Sequence, residues 1–165
     1  DVADGEAGEL WARGPNIMKG YYKESALTQA TMRDGGWLNT GDLARRDADG
    51  ALFIVGRTKE MIIRSGFNVY PLEVETVLNA HPGVAQSAVV GRAAAGGNEE
   101  VIAFVEANPA HAPDLDELRA FLAAHLSPYK CPSRIVVMDA LPAAATGKIL
   151  KGRLKALASE LKDSL

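Results

Sequence analysis

Lys59-Glu60-Met61-Ile62-Ile63-Arg64-Ser65-Gly66-Phe67-Asn68-Val69-Tyr70-Pro71-Leu72-Glu73-Val74-Glu75 is the stretch that decides how this chain folds. Met61–Arg64 reads as a strand, and Ser65-Gly66 reads as a break after it. Pro71 suits the first turn of a helix, where a missing N–H costs nothing because that donor has no partner inside the helix. Leu72, Val74, Val77 and Leu78 supply most of an apolar stripe along that helix, and His81-Pro82-Gly83 stops it.

Toward the C-terminus the pattern stays regular. Val84–Val90 and Val101–Glu106 are rich in Val, Ile, Phe and Ala, and read as two paired strands joined by the small-residue loop Ala93–Asn98. Asp114 is a good N-cap for a helix carrying Leu115, Leu118, Phe121, Leu122 and Leu126, which Pro128 closes. A strand at Ile135–Met138, a glycine-containing loop at Pro142–Gly147 and a helix from about Lys151 to Leu161 complete the order β-α-β-β-α-β-α. That order predicts a compact α+β domain over residues 59–165.

Toward the N-terminus, residues 1–58 are dense in glycine and turn residues. Glu9–Arg13 and Ala51–Val55 read as strands, Asp49-Gly50 as a turn, and Ser25–Met32 as one short helix. This β-rich stretch is too short and too glycine-rich to bury a good core alone. The first residue is Asp rather than Met, so the chain is expected to start inside a longer protein.

Composition narrows the function classes. The 165 residues are 47% hydrophobic and 24% charged, with a net charge of -3, so no basic surface points to nucleic acid. Cys131 is the only cysteine, which excludes an internal disulfide, and His81, His111 and His125 lack metal-ligand spacing. No apolar run reaches the roughly 20 residues of a membrane helix, and no signal pattern opens the chain. A cytoplasmic setting is expected.

Four short segments carry the chemistry: Gly8-Glu9-Leu10 with Gly20-Tyr21-Tyr22; Thr40-Gly41-Asp42-Leu43; Gly56-Arg57-Thr58-Lys59-Glu60 running on to Arg64-Ser65-Gly66-Phe67-Asn68; and Pro142 to Thr146-Gly147-Lys148. Taken singly, each has an ordinary reading. Asp42 caps a turn, Arg57 makes a surface ion pair, Lys148 is a solvated loop lysine, and Gly66 is a turn glycine. In this order and spacing they resemble the C-terminal third of the adenylate-forming (AMP-binding) superfamily, over nearly the whole chain. The run from Lys59 to Pro71 is similar to an acyl-CoA synthetase, a fatty-acid–CoA ligase-like member of that superfamily.

The resemblance implies an enzyme that joins a carboxylic acid to ATP, forming acyl-AMP, and then passes the acyl group to CoA. ATP, with magnesium, and CoA would be its substrates, and the acid would be fatty. Lys148 matches the family's lysine for the first step, where an ammonium between two anions lowers the barrier. Asp42 matches the residue that accepts the ribose hydroxyls, with Thr40 beside it, and Arg57 matches an arginine near the ribose. Lys59 falls on the hinge position, and Ser65 and Gly66 on the backbone that CoA's pantetheine arm passes. No metal ligands are assigned in this chain.

Residues 1–58 would then be the end of a large N-terminal domain, and residues 59–165 the mobile C-terminal domain. The glycine/serine/threonine-rich phosphate loop and the acyl pocket are absent from this chain, so that larger domain of the same polypeptide is the expected partner, and the chain alone is expected to be inactive. Two other readings fit the same segments: a non-catalytic binding module of this fold, and an adenylating enzyme that loads a carrier-protein thiol. Trp37 is expected to pack a loop, and Cys131 to be a partly buried side chain rather than a nucleophile. Tyr129-Lys130 is open between contact with CoA phosphates and a solvated loop, while Glu73 and Glu75 favour a helix dipole.

Overall fold

Residues 2–161 are described by a computed structural model, and they form two compact units that divide between Lys59 and Glu60. In the first, strands β1 (Ala7–Ala12), β2 (Met32–Arg33) and β4 (Leu52–Arg57) all pair antiparallel with the long strand β3 (Trp37–Arg46). The helix α1 covers Ser25–Thr31, and the chain turns extended at Met32 where the sequence pattern still allows helix. The main correction in this unit is β3. Its Asn-Thr-Gly-Asp run carries no apolar alternation, yet ten residues are extended because three neighbours bond to them. Trp37 begins this strand, and its ring packs on the flanking loop, with Arg13 over it at 4.8 Å.

The second unit holds the core. Strands β7 (Val84–Ala93), β8 (Glu99–Ala107) and β9 (Arg134–Met138) form a sheet in that order, antiparallel between β7 and β8 and parallel between β8 and β9. The middle strand is buried on both faces. Val101, Ala103 and Val105 join a cluster with Val74 and Leu78 of α2 (Pro71–Asn79) and Leu118 and Leu122 of α3 (Leu115–His125). Ile102 and Phe104 point the other way, against Leu154 and Ala158 of α4 (Lys151–Glu160). Such two-sided burial is why this strand reads as a continuous apolar run instead of an alternation.

Local chemistry explains the helix starts. Pro71 occupies the first turn of α2, and Asp114 caps α3, its Oδ1 accepting the Asp116 and Glu117 N–H groups at 2.8 and 3.0 Å. Two details differ from the sequence reading. The single strand expected at Met61–Arg64 is a hairpin of β5 (Ile62–Arg64) and β6 (Phe67–Val69), since Ser65 and Gly66 both take positive φ and turn the chain back in two residues. Leu72, placed on the apolar stripe, stands 42% exposed; Pro71 lies on the buried face with Val74 and Leu78. Among the described residues no helix is long and apolar enough to cross a membrane.

Candidate active site

In the first unit Thr40, Gly41 and Asp42 form a bulge. Between the pairs Glu9↔Leu43 and Trp11↔Asn39, β1 advances two residues while β3 advances four. Gly41 has φ 75, which a side chain would resist. Side chains stitch the bulge closed. Asn39 Oδ1 accepts from Gly41 N–H at 2.9 Å, and Thr40 Oγ1 accepts from Asp42 N–H at 3.1 Å while donating to the Leu10 carbonyl at 2.8 Å. Asp42 therefore leaves the strand at a fixed angle, opposite its register partner Arg57 on β4. Arg57 Nε meets Asp42 Oδ1 at 3.0 Å. Asp42 is the more sheltered, its side chain 24% exposed against 59% for Arg57, so the guanidinium reaches into solvent while the carboxylate is held. Thr40, Asp42 and Arg57 are thus one constellation, supported by Asn39, which the sequence reading missed, and by Glu9 of the Gly8-Glu9-Leu10 segment, whose carboxylate accepts from Asn39 Nδ2 at 3.2 Å.

Lys59 is exposed within a short 3-10 turn, Thr58–Glu60, and is the last residue of the first unit. In the second unit Ser65 and Gly66 form the exposed tip of the β5–β6 hairpin, with φ 53 and 80. A serine at positive φ needs support, and it comes from the start of β8 and the residue before it. Asn98 Oδ1 accepts the Ser65 N–H at 2.6 Å, and Glu99 Oε2 accepts the Ile63 N–H at 2.8 Å. Neither residue carries a local signal, since both lie more than thirty positions further along.

Lys148 stands on a tight turn. Gly147 N–H donates to the Ala144 carbonyl and Ala144 N–H to the Lys148 carbonyl, both at 2.9 Å, and Gly147 sits at φ 80 as the bulge residue that closes the turn. Ala143 and Ile149 bridge beneath it, and Leu150 N–H donates to the Pro142 carbonyl at 2.7 Å. Lys148 is exposed, and among the described residues no carboxylate pairs with its ammonium.

Other polar side chains turn out to be committed elsewhere. Tyr129 stacks on Phe67 with centroids 4.6 Å apart, and Lys130 pairs with Glu73 at 2.6 Å. Arg64 donates to the Cys131 carbonyl at 2.6 Å. Burial pushes the Cys131 thiol above its usual pKa, against a smaller pull from Arg64. Glu75 accepts from Val89 N–H at 2.7 Å and from Lys151 at 2.8 Å, so it works across the fold and not on its helix dipole. Among the described residues no cluster of three or more His, Cys, Asp or Glu could hold a metal.

The three-stranded sheet covered by helices on both faces gives the second unit the mixed α/β architecture of the C-terminal domain of adenylate-forming enzymes. Residues 73–148 match the AMP-binding enzyme C-terminal domain. The chain belongs to that adenylate-forming, AMP-binding superfamily, and its relatives are acyl-CoA ligases. It is 44% identical over 155 residues to the long-chain-fatty-acid–CoA ligase of Salmonella typhimurium, covering 94% of this chain and 27% of that protein. A crystal structure of the ATP-bound RpMatB-BxBclM chimera B1 matches with a TM-score of 0.87 and 37% identity, over 97% of this chain and 32% of the other. The o-succinylbenzoate CoA synthetase of Bacillus subtilis, in complex with its acyl-adenylate intermediate, matches with a TM-score of 0.86 and 35% identity, over 93% of this chain and 31% of the other. The chain spans about a third or less of the length of each of these proteins.

Proposed function

We propose that this chain acts as the C-terminal part of an ATP-dependent acid–thiol ligase. In the first half-reaction a carboxylate oxygen attacks the α-phosphorus of ATP. An O–P bond forms, the bond from the α-phosphorus to the oxygen bridging to the β-phosphate breaks, and acyl-AMP and pyrophosphate result. In the second, the CoA sulfur attacks the acyl carbon, a C–S bond forms, AMP leaves, and the thiol proton passes to solvent. Residues 1–58 would close the large adenylation domain, and residues 59–165 would be the mobile domain that serves the two steps in turn.

The observation that carries this reading is the Lys148 turn. It presents, on a glycine-closed tip, an ammonium that pairs with no carboxylate among the described residues, where it can meet the charge that gathers as two anions react. Asp42 would accept both ribose hydroxyls, because a carboxylate offers several acceptor sites, and Arg57 would follow the nucleotide from its partly exposed position. Lys59 would be the pivot, and the exposed Ser65–Gly66 tip would pass the narrow pantetheine arm. Magnesium would come with the ATP phosphates; among the described residues no cluster of three or more His, Cys, Asp or Glu is placed to hold it.

The proposed acid is fatty, following the Salmonella relative. A succinylbenzoate enzyme shares the fold of these residues, which supports a reading in which the acid is chosen elsewhere in the full-length enzyme. A panel of fatty and aromatic acids, scored by pyrophosphate release from the full-length enzyme, identifies it, and the 165-residue chain by itself is expected to be inert. With that acid, Lys148→Ala should slow adenylation by about 10²–10³. Thioester formation from supplied acyl-AMP and CoA should persist. Equal slowing of both half-reactions rejects a lysine that serves the first step alone.

A further inference from the structure

The Lys151 ammonium lies between two carboxylates, 2.6 Å from Glu60 Oε2 and 2.8 Å from Glu75 Oε1. The three side chains are sheltered, with 23%, 34% and 12% exposure for Lys151, Glu60 and Glu75. Glu75 is held in turn by the Val89 N–H of β7. Burial pulls the lysine pKa down, but the hydrogen bonds and charges of Glu60 and Glu75 outweigh it and leave it raised. An exposed pair would contribute little. In this cluster one cation separates two sheltered carboxylates, and removing it would leave like charges facing each other.

The connectivity gives this cluster a direction. Glu60 is the residue after Lys59 and ends the same 3-10 turn. Lys151 is the first residue of α4, and the Leu150–Pro142 hydrogen bond just before it closes the base of the Lys148 turn. One ion pair, 91 residues apart in sequence, thus runs from the flank of Lys59 to the base of Lys148. The Ser65–Gly66 tip is held by different groups, Asn98 and Glu99.

We propose that Lys151 is a positioning residue for Lys148, binding the base of its turn to Glu60 so that rotation at Lys59 carries the Lys148 ammonium as part of one rigid body. This rests on the proposed roles of Lys59 as pivot and Lys148 in adenylation. Without the tie, the ammonium reaches its target from a looser base. Misplacement by about an ångström costs on the order of 10²-fold in rate. The tip that serves the second half-reaction keeps its own supports.

The test uses the full-length ligase and the acid selected by the panel. ATP–pyrophosphate exchange and thioester formation from supplied acyl-AMP are measured separately for Glu60→Gln, Lys151→Met and Lys151→Arg. Glu60→Gln and Lys151→Met should slow exchange by roughly 10- to 100-fold. Thioester formation should stay within about twofold, and Lys151→Arg, which keeps the charge, should recover most of the exchange. Glu60→Gln preserves shape and leaves the Lys151–Glu75 pair, so it decides the matter if Lys151→Met does not fold. Unchanged exchange in Glu60→Gln, or equal loss of both half-reactions, overturns the proposal. Lys148→Ala is run alongside. If it leaves adenylation intact, the reading of the site has failed, whereas a sensitive Lys148 with an insensitive Glu60 sinks this inference alone.

Discussion

The two units solve the problem of holding a functional group in opposite ways. In the second, helices cover both faces of the β7–β8–β9 sheet, and Val101 through Val105 are at most 1% exposed. Its candidate residues sit on tight turns that project from this scaffold. In the first, the buried apolar residues among those described are Leu43 and Ala44, while Trp11, Trp37, Leu52, Phe53 and Ile54 are all at least 36% exposed. Its nucleotide candidates Thr40, Asp42 and Arg57 lie inside the sheet, on or opposite a bulge closed by side-chain hydrogen bonds. A thin sheet can fix a carboxylate only by local polar stitching, whereas a sheet packed on both sides can carry a group out on a turn.

The most severe challenge to this contrast is Phe104→Ala. It empties the fully buried face beneath α4 and should cost the second unit about 3–5 kcal/mol. Both tryptophans, Trp11 and Trp37, belong to the first unit, so their fluorescence reports that unit while circular dichroism reports both. The fluorescence transition in denaturant should stay in place while the second unit's transition moves. A joint shift would mean that the units unfold as one. Native-state hydrogen exchange tests the same point residue by residue. Amides of Val101–Val105 and Ile135–Met138 should be protected at least about 10²-fold more than those of Glu9–Trp11, because core strands open only with their whole unit. Equal protection in β1 would contradict the division.

A smaller effect is expected from Thr40→Val, which keeps the shape of the side chain but removes the donor to Leu10 and the acceptor for Asp42 N–H. It should cost the first unit about 1–2 kcal/mol by the fluorescence transition. ATP affinity of the full-length enzyme should fall with it, and unchanged affinity would separate Thr40 from the placing of Asp42. The smallest is Asp114→Ala at the start of α3. Hydrogen bonds from the Glu117 and Asp116 amides hold the Asp114 pKa below its ordinary value. The stabilisation is therefore complete above the unfolded carboxylate's pKa of about 3.9 and disappears as pH falls through the lower folded value. The melting difference between Asp114→Ala and the parent should be present at pH 7 and shrink below about pH 4. A difference independent of pH would assign the effect to helix propensity.

Much of the second unit was legible because its signals are local. Asp114, Pro71 and the apolar runs of β7 and β8 dictate their own geometry within a few residues, and the structure places those elements where the patterns lie. The first unit was less legible. The strand β3 is extended through its partners on either side and not through any preference of Asn39-Thr40-Gly41-Asp42. The β5–β6 hairpin was missed for a similar reason. Ser65 adopts its positive φ with the help of Asn98, and no window around Ser65 contains that residue.

Hydrogen-bonding valence, proline geometry and side-chain periodicity are all written within one turn or strand of the chain. They settle from the sequence which residues stand together in motifs, where the helices begin, and that a continuous apolar strand must be covered twice. Folding in three dimensions was needed to set Arg57 facing Asp42 across a bulge, to bring Asn98 and Glu99 to the hairpin, and to seat Lys151 between Glu60 and Glu75. Electrostatic and hydrogen-bond partners are chosen by distance in space, and a separation of 91 residues leaves no trace of a contact at 2.6 Å until the chain has folded.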